Sequence, residues 1–290
     1  MSWSFIDSAG RRGMRAFGAR SRTVGGLHGY AATGRGTLPP LVLLHGIGAS
    51  GMVWGQVLRL LLRDAGSLFI PDLPAHGFSA APERLDVPGI LDALEPALCT
   101  ELTAPAILVG HSLGALMAIR FALRHPELVR GLLLVTPAGA TFAPGALQKV
   151  QAALDLRTNA DARGMLEKMY VRPPWYLPLL APYIRESYGR PALRRVLASV
   201  NVGELLSAQE LGALRGPVEL LWGKQDRLLP PSDLAYFRAH LPAQATILEL
   251  DGFGHAPVLD AAPLLARRIV EFARSAADPP SPGAASGADR

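Results

Sequence analysis

The sequence predicts an α/β protein in which helices flank a mostly parallel sheet, and three observations lead to this fold class. Short runs such as residues 41–44 are apolar throughout, as in strands that a sheet buries on both faces. These runs alternate with segments of helical periodicity, which favours parallel strands joined by right-handed crossovers. The alternation stops after residue 139 and resumes at residue 214, so residues 140–213 are interpreted as an insertion.

The first 22 residues form a basic arm. They hold five arginines against Asp7, a net charge of +4, whereas the whole chain of 290 residues carries +5. Little net charge remains for the rest of the chain, and no basic stripe is interleaved with aromatic residues, so we expect no nucleic-acid partner. Wound as a helix, the arm would place four apolar side chains on one face: Trp3, Ile6, Met14 and Phe17.

Three interpretations of this arm stay open. The apolar face could rest peripherally on a membrane while the arginines meet anionic head groups. It could instead be loose, or pack its apolar side on the domain. An organellar transit peptide is the third possibility.

The remaining elements of the core, residues 23–139 and 214–275, follow in order. A glycine-broken edge strand or hairpin is expected at 23–33. Strands are predicted at 41–44, 68–70, 106–109, 132–135, 218–222 and 246–250. Helices are predicted at 52–63, 88–101, 113–124, 231–240 and 261–274. The tail, residues 276–290, is rich in Ala, Pro, Gly and Ser and predicts disorder.

Residues 140–213, called the insertion below, are predicted to form a helical lid. The segment has helical periodicity but is broken repeatedly by prolines, among several aromatic residues. Trp175 and Tyr176 are candidates for substrate contact, because they belong to a markedly apolar part of this segment.

The segment Gly110-His111-Ser112-Leu113-Gly114 lies between a predicted strand and a small-residue helix. Gly-x-Ser-x-Gly in that context is a nucleophile elbow, a turn that raises the serine hydroxyl above the sheet edge. Ser112 is therefore the candidate nucleophile. His111 is expected to point away from it.

A serine hydroxyl needs a base that is itself oriented by an acid. His255 is the candidate base, since it lies on a glycine-containing loop between a strand and the last helix. Asp226 directly follows a strand and is the candidate acid, with Asp251 as its rival. When such a serine attacks a carbonyl group, the carbonyl oxygen becomes an oxyanion that needs two N–H donors. We expect them to be the backbone N–H groups of Leu113 and Ile47, whereas the turn around Asp72 is interpreted as structural.

With these motifs the chain resembles the lid-bearing α/β-hydrolases. Three smaller matches, at 136–139, 170–172 and 222–226, resemble the monoacylglycerol-lipase-like carboxylesterases. The resemblance implies a small-molecule ester substrate with an apolar acyl chain, hydrolysed through an acyl-enzyme on Ser112. It implies no metal and no cofactor. It leaves the natural substrate and the oligomeric state open.

Two alternatives to ester hydrolysis remain. Carbon–carbon bond hydrolases of diketo acids resemble this chain in their triad and tend to place an arginine in the lid pocket, for which Arg172 is the candidate. A catalytically idle hydrolase fold could act as a ligand receptor or scaffold. Ser112 argues against the relatives that use an aspartate nucleophile.

Composition indicates the cellular location only indirectly. No apolar run approaches the ~20 residues of a membrane helix, and Cys99 is the only cysteine, which favours a reducing compartment. We expect a cytoplasmic protein that could also touch a membrane surface through its arm.

Overall fold

The structure is a computed structural model that describes residues 3–277. Its eight strands are β1 (Arg20–Val24), β2 (Leu27–Thr33), β3 (Leu41–Leu44), β4 (Ser67–Pro71), β5 (Ala106–His111), β6 (Val129–Val135), β7 (Val218–Gly223) and β8 (Thr246–Leu250). The helices of the core are α1 (Trp3–Ala16), α2 (Gly55–Leu61), α3 (Val87–Glu101), α4 (Leu113–Arg124), α10 (Pro231–His240), α11 (Pro257–Asp260) and α12 (Ala262–Ala277). Those of the insertion are α5 (Ala146–Leu154), α6 (Asn159–Met169), α7 (Ala181–Gly189), α8 (Pro191–Ser199) and α9 (Ala208–Gly212).

The strands form one sheet in the order β1-β2-β4-β3-β5-β6-β7-β8. The β1–β2 and β2–β4 pairs are antiparallel, and every pair from β4 to β8 is parallel. β3 and β5 are buried at every residue, as their uninterrupted apolar sequences predict. The predicted α/β fold with a mostly parallel sheet is confirmed.

A hydrophobic core covers each face of the sheet. On one face, α3 and α4 pack against the strands through side chains such as Leu94 and Ile119, and the insertion adds Leu166 to the same cluster. On the other face, α2 and α12 contribute Leu58 and Ile269. Because every pair from β4 to β8 is parallel, the carboxyl ends of these strands meet at one edge of the sheet. The insertion leaves the sheet at this edge, after β6.

The arm forms α1, and this helix packs on the domain. Met14 is only 2% exposed and belongs to the core that α2 and α12 share, and Phe17 packs against that core from a half-buried position. The side chain of Trp3 lies outside the described part of the structure. Packing on the domain thus involves Met14 and Phe17, two of the four apolar side chains of the predicted face. Among residues 3–277, none of the helices has both the length and the apolar character required to span a bilayer.

The boundaries of the arm and of the tail differ from the sequence prediction. The arm was expected to end at residue 22, but β1 already begins at Arg20, because residues 20–24 pair with β2. α12 continues to Ala277, and Ala276 is buried, so the predicted tail overlaps the last helix by two residues. The rest of that tail lies outside the described residues.

A buried carboxyl group in α10 should make stability depend on pH. Asp233 is fully buried, and the Thr141 hydroxyl donates to its Oδ2 at 2.6 Å. Burial raises the pKa of Asp233 from 3.8 to about 6, although the hydrogen bonds from Thr141 and Ser232 oppose the rise. As pH rises from about 4 to 6, the unfolded chain loses this proton while the folded chain keeps it, so folding becomes less favourable.

We expect Asp233→Asn to be more stable than the wild type at pH 8, by roughly 1–3 kcal/mol. The amide can still accept the Thr141 hydrogen bond, but it does not ionise. The advantage should shrink as pH falls from 6 to 4, because the wild-type carboxyl is then neutral. Urea unfolding of both proteins at pH 4, 6 and 8 measures this difference, and an advantage independent of pH would contradict the assignment.

Candidate active site

Ser112 lies at the junction of β5 and α4 in a strained backbone conformation. Its φ is 53° and its ψ is −115°, a combination that non-glycine residues adopt only under constraint. The glycines on either side permit the turn. A Cβ on Gly110 would lie 2.4 Å from the Cα of Ala115, and one on Gly114 would lie 2.4 Å from the carbonyl oxygen of Leu44. This turn therefore requires glycine at positions 110 and 114.

The structure brings the three predicted triad residues together. His255 Nε2 lies 3.1 Å from Ser112 Oγ, and His255 Nδ1 lies 2.9 Å from Asp226 Oδ2. All three residues are buried or nearly so, with His255 1% exposed. They come from loops after β5, β7 and β8, whose carboxyl ends share one edge of the sheet. This arrangement lets Nδ1–H donate to the carboxylate while Nε2 faces the serine hydroxyl.

Asp226 is held as a carboxylate in the buried site. Its Oδ1 accepts hydrogen bonds from the N–H groups of Leu228 at 2.8 Å and Leu229 at 3.0 Å. Burial alone would raise the pKa of Asp226, but the charge and hydrogen bond of His255, together with these N–H donors, outweigh it and lower the pKa. The rival Asp251 has a 75% exposed side chain and pairs with Lys224 at 2.8 Å, so it is not in contact with His255.

Two further residues hold the backbone of His255. His111 Nε2 lies 2.8 Å from the carbonyl oxygen of His255, and the Thr136 hydroxyl donates to the same oxygen at 2.7 Å. Burial and the neighbouring charge of His255 lower the pKa of His111 to about 3, so its ring stays neutral. His111 was expected to point away from Ser112; its Nε2 contacts the His255 carbonyl oxygen, and the residue is part of the cavity lining.

Sequence patterns do not predict these two contacts with the His255 carbonyl oxygen. His111 lies 144 residues from His255, and Thr136 lies 119 residues from it. The elbow motif shows where His111 lies in the sequence, but it does not predict that His111 contacts the carbonyl oxygen of His255. Thr136 directly follows β6 and has a φ of 39°, a conformation that sequence patterns do not reveal.

The two candidate oxyanion donors come from two different loops, those after β5 and β3. Leu113 is the first residue of α4, so its N–H has no acceptor within the helix. Ile47 follows β3 and lines the same cavity as Ser112. The loop before it packs tightly, since a Cβ on Gly46 would lie 2.9 Å from His111 Nδ1. His45 Nε2 accepts a hydrogen bond from the N–H of Leu73 at 2.9 Å, which connects the loop after β3 to the loop after β4.

Asp72 organises the turn after β4. It is fully buried and accepts hydrogen bonds from the N–H groups of Gly51 at 2.7 Å and Phe78 at 2.9 Å. The ring of His28 binds its Oδ2 at 2.7 Å. All of these contacts are internal to the fold, as the structural interpretation of this turn predicts.

A cavity of about 390 Å³ opens over Ser112 and His255. Apolar side chains of the insertion form much of its wall: Leu154, Met165, Leu166, Met169, Leu177 and Leu180. Of the two candidates for substrate contact, Tyr176 lines the cavity. Trp175 does not: it lies in the turn before the helical segment Leu177–Leu180 and is 83% exposed to solvent. Arg172 is also exposed and outside the lining, whereas Arg190 belongs to it.

The insertion rests directly on the loop that carries Ile47. The Tyr188 hydroxyl donates to the carbonyl oxygen of Ile47 at 2.9 Å. Gly48 has a φ of +72°, and a Cβ there would lie 2.2 Å from the Tyr188 ring. Glycine is thus required at residue 48 both for the backbone and for the approach of α7.

Known proteins resemble this chain over most of its length. A sequence model of the "Alpha/beta hydrolase family" matches residues 41–268. A pimeloyl-[acyl-carrier protein] methyl ester esterase of Chromobacterium violaceum is 30% identical over 233 residues, which cover 76% of this chain and 89% of that protein. Lipase 1 of Psychrobacter immobilis is 26% identical over 249 residues, covering 80% of this chain and 76% of that protein.

Solved structures share the fold at lower identity. A 2-hydroxy-6-oxo-6-phenylhexa-2,4-dienoate hydrolase from Rhodococcus sp. strain RHA1 superposes with a TM-score of 0.76 at 21% identity. The match covers 88% of this chain and 99% of that one. At that level of identity the similarity shows the fold alone.

Proposed function

The chain belongs to the α/β-hydrolase family, and on that premise we propose that it is a serine hydrolase of carboxylic esters with apolar acyl chains. The observation that carries the proposal is the hydrogen-bonded series Ser112–His255–Asp226 at the floor of an apolar cavity. The esterase from Chromobacterium violaceum and the lipase from Psychrobacter immobilis support ester bonds as the target.

In the proposed reaction His255 Nε2 accepts the proton of Ser112 as Oγ attacks the ester carbonyl. Asp226 holds the imidazole in the tautomer that has its proton on Nδ1, and stabilises the imidazolium that forms. The N–H groups of Ile47 and Leu113 bind the oxyanion. His255 then gives the proton to the leaving alcohol. In the second half of the reaction His255 accepts a proton from water as the water attacks the acyl-enzyme, and it returns that proton to Ser112 Oγ as the carboxylic acid leaves.

The acyl chain is assigned to the part of the wall that α5 and α6 form. Leu154, Met165, Leu166 and Met169 present no charge there. Each methylene transferred from water to such a surface gains about 0.8 kcal/mol, which corresponds to about fourfold in affinity.

We therefore expect kcat/KM for p-nitrophenyl esters to rise with acyl length, by up to about fourfold per methylene, until the cavity is full. The measurement is a series from acetate to decanoate on one preparation. Leu166→Phe, which narrows the apolar wall, should move the optimum to a shorter chain. A flat profile, or an optimum that Leu166→Phe leaves in place, would contradict the acyl assignment.

Arg190 gives the carbon–carbon hydrolase alternative a specific test. It lines the cavity and could face the carboxylate of a diketo acid, the role for which Arg172 is too exposed. We expect diketo acids to be cleaved far more slowly than every ester of the series. If they are cleaved faster, and Arg190→Ala removes that preference, the ester assignment is wrong.

A further inference from the structure

The N-terminal helix forms part of the catalytic cavity. Three residues of α1 line the cavity that contains Ser112: Ile6, Asp7 and Gly10. The sequence model of the family matches residues 41–268, so α1 lies outside the segment on which the family assignment rests. A helix that was expected to be an accessory arm therefore borders the site of reaction.

Several contacts fix α1 in this position. Met14 anchors its carboxyl end in the core. Gly10 lets the helix approach closely, because a Cβ there would lie 2.4 Å from Met52 Sδ. The Arg11 guanidinium lies 5.0 Å from the centre of the Phe78 ring. The helix is thus attached both to the core and to the loops around the cavity.

The α1 wall also contacts the insertion through a polar pair. The hydroxyl of Tyr183, on α7, donates to Asp7 Oδ1 at 2.9 Å. Both residues line the cavity and both are partly buried. Tyr183 occupies one oxygen of the carboxylate, and a carboxylate can accept several hydrogen bonds in all. Asp7 can therefore receive further donors from a molecule in the cavity.

Arg190 adds a positive charge to this polar region. It caps the end of α7, lines the cavity, and reaches the carbonyl oxygen of Gly77 at 3.4 Å. The Phe78 ring, which the Arg11 guanidinium of α1 contacts, belongs to the residue next to Gly77. α1 and Arg190 therefore contact the same turn, at residues 77 and 78. Among the residues described, no carboxylate lies within 4 Å of the Arg190 guanidinium.

The cavity wall is therefore unequal in polarity. The part that α5 and α6 supply is apolar, whereas the part near α1 carries Asp7, Tyr183 and Arg190. An ester has the same asymmetry when its acyl chain is a hydrocarbon and its alcohol carries hydroxyl groups. The charges of Asp7 and Arg190 offset each other, which favours a neutral hydroxylated group over an anionic one.

We propose that Asp7, Tyr183 and Arg190 form a subsite for the alcohol part of the ester, and that this subsite selects a neutral alcohol bearing free hydroxyl groups. A hydroxyl of the substrate would donate to Asp7 and accept from Arg190. α1 would then determine specificity on the alcohol side, while α5 and α6 do so on the acyl side. The inference rests on the proposed ester hydrolysis and identifies its leaving group.

The test compares two esters with the same acyl chain and three-carbon alcohols, 1-octanoylglycerol and propyl octanoate. The wild type should prefer the glycerol ester. Asp7→Ala should lower the ratio of the two kcat/KM values about tenfold, because a hydrogen bond to a charged group is lost. Arg190→Ala should lower it as well, and Asp7→Asn, which keeps an acceptor, should lower it less. Arg12→Ala, on the exposed face of α1, is the matched control and should leave the ratio unchanged.

Binding of 1-O-octylglycerol tests the subsite without catalysis, because the ether cannot be hydrolysed. Calorimetry should show an affinity about tenfold weaker for Asp7→Ala than for the wild type or Arg12→Ala. If neither ester is cleaved, ester hydrolysis fails as the function while the ether result still decides the subsite. An unchanged ether affinity in Asp7→Ala overturns the proposal. The proposal is also overturned if Asp7→Ala shifts the acyl-length optimum of the p-nitrophenyl ester series but leaves the ratio of the two octanoate esters unchanged. Asp7 would then act on the acyl chain and not on the alcohol.

Discussion

Ser112→Ala is expected to abolish covalent labelling by a fluorophosphonate and to lower kcat/KM for p-nitrophenyl esters by ~10⁴-fold or more. The variant loses the oxygen that lies 3.1 Å from His255 Nε2, so no acyl-enzyme can form. Alanine is smaller than serine and fits the same turn, and the fold should be retained. Labelling followed by gel fluorescence, together with steady-state rates, measures both effects.

Ser8→Ala is the control for this experiment, since Ser8 is exposed on α1. It should label and turn over like the wild type. Undiminished turnover in Ser112→Ala, with contaminating esterase excluded, would remove Ser112 from the mechanism and with it the acyl-enzyme.

The second large effect should come from Asp226→Asn. We expect kcat to fall about 10³-fold at pH 7 with the fold intact. The amide nitrogen would present a donor to His255 Nδ1 and so favour the tautomer that has its proton on Nε2. That tautomer cannot accept the serine proton. The N–H groups of Leu228 and Leu229 can still bind the amide oxygen, which preserves the loop.

Asp251→Asn separates this role from a general effect of losing a carboxylate. Asp251 is exposed and paired with Lys224, and exposed ion pairs contribute little to stability. Asp251→Asn should therefore keep kcat within about twofold of the wild type. If Asp251→Asn is the inactive variant and Asp226→Asn is active, the acid of the triad is Asp251.

The fold was predictable because its signals are local. Strands such as β3 and β5 are apolar at every position, and the helices that follow them keep a helical period, so element type and order follow from short stretches of sequence. The elbow adds a turn that only glycines permit. Ser112, Asp226 and His255 each follow a strand, and parallel strands bring their carboxyl ends to one edge of the sheet.

The rest of the site depends on contacts between distant segments. His111 and Thr136 meet the carbonyl of His255 only after β5, β6 and the last loop are in register. Asp7 reaches Tyr183 across 176 residues of sequence. Trp175 and Tyr176 are neighbours of similar chemistry, and only the path of the chain decides that one is outside and the other lines the cavity.

The insertion shares its hydrophobic interior with the sheet. Met165, Leu166 and Tyr170 belong to the same cluster of buried side chains as Val42 and Leu108 of the central strands. A segment with its own interior could be exchanged among relatives as a cassette, whereas this one would leave apolar surface uncovered on both sides of the junction. Exchange of the whole insertion is therefore expected to destabilise the sheet, whereas single replacements along the cavity wall leave the shared interior in place.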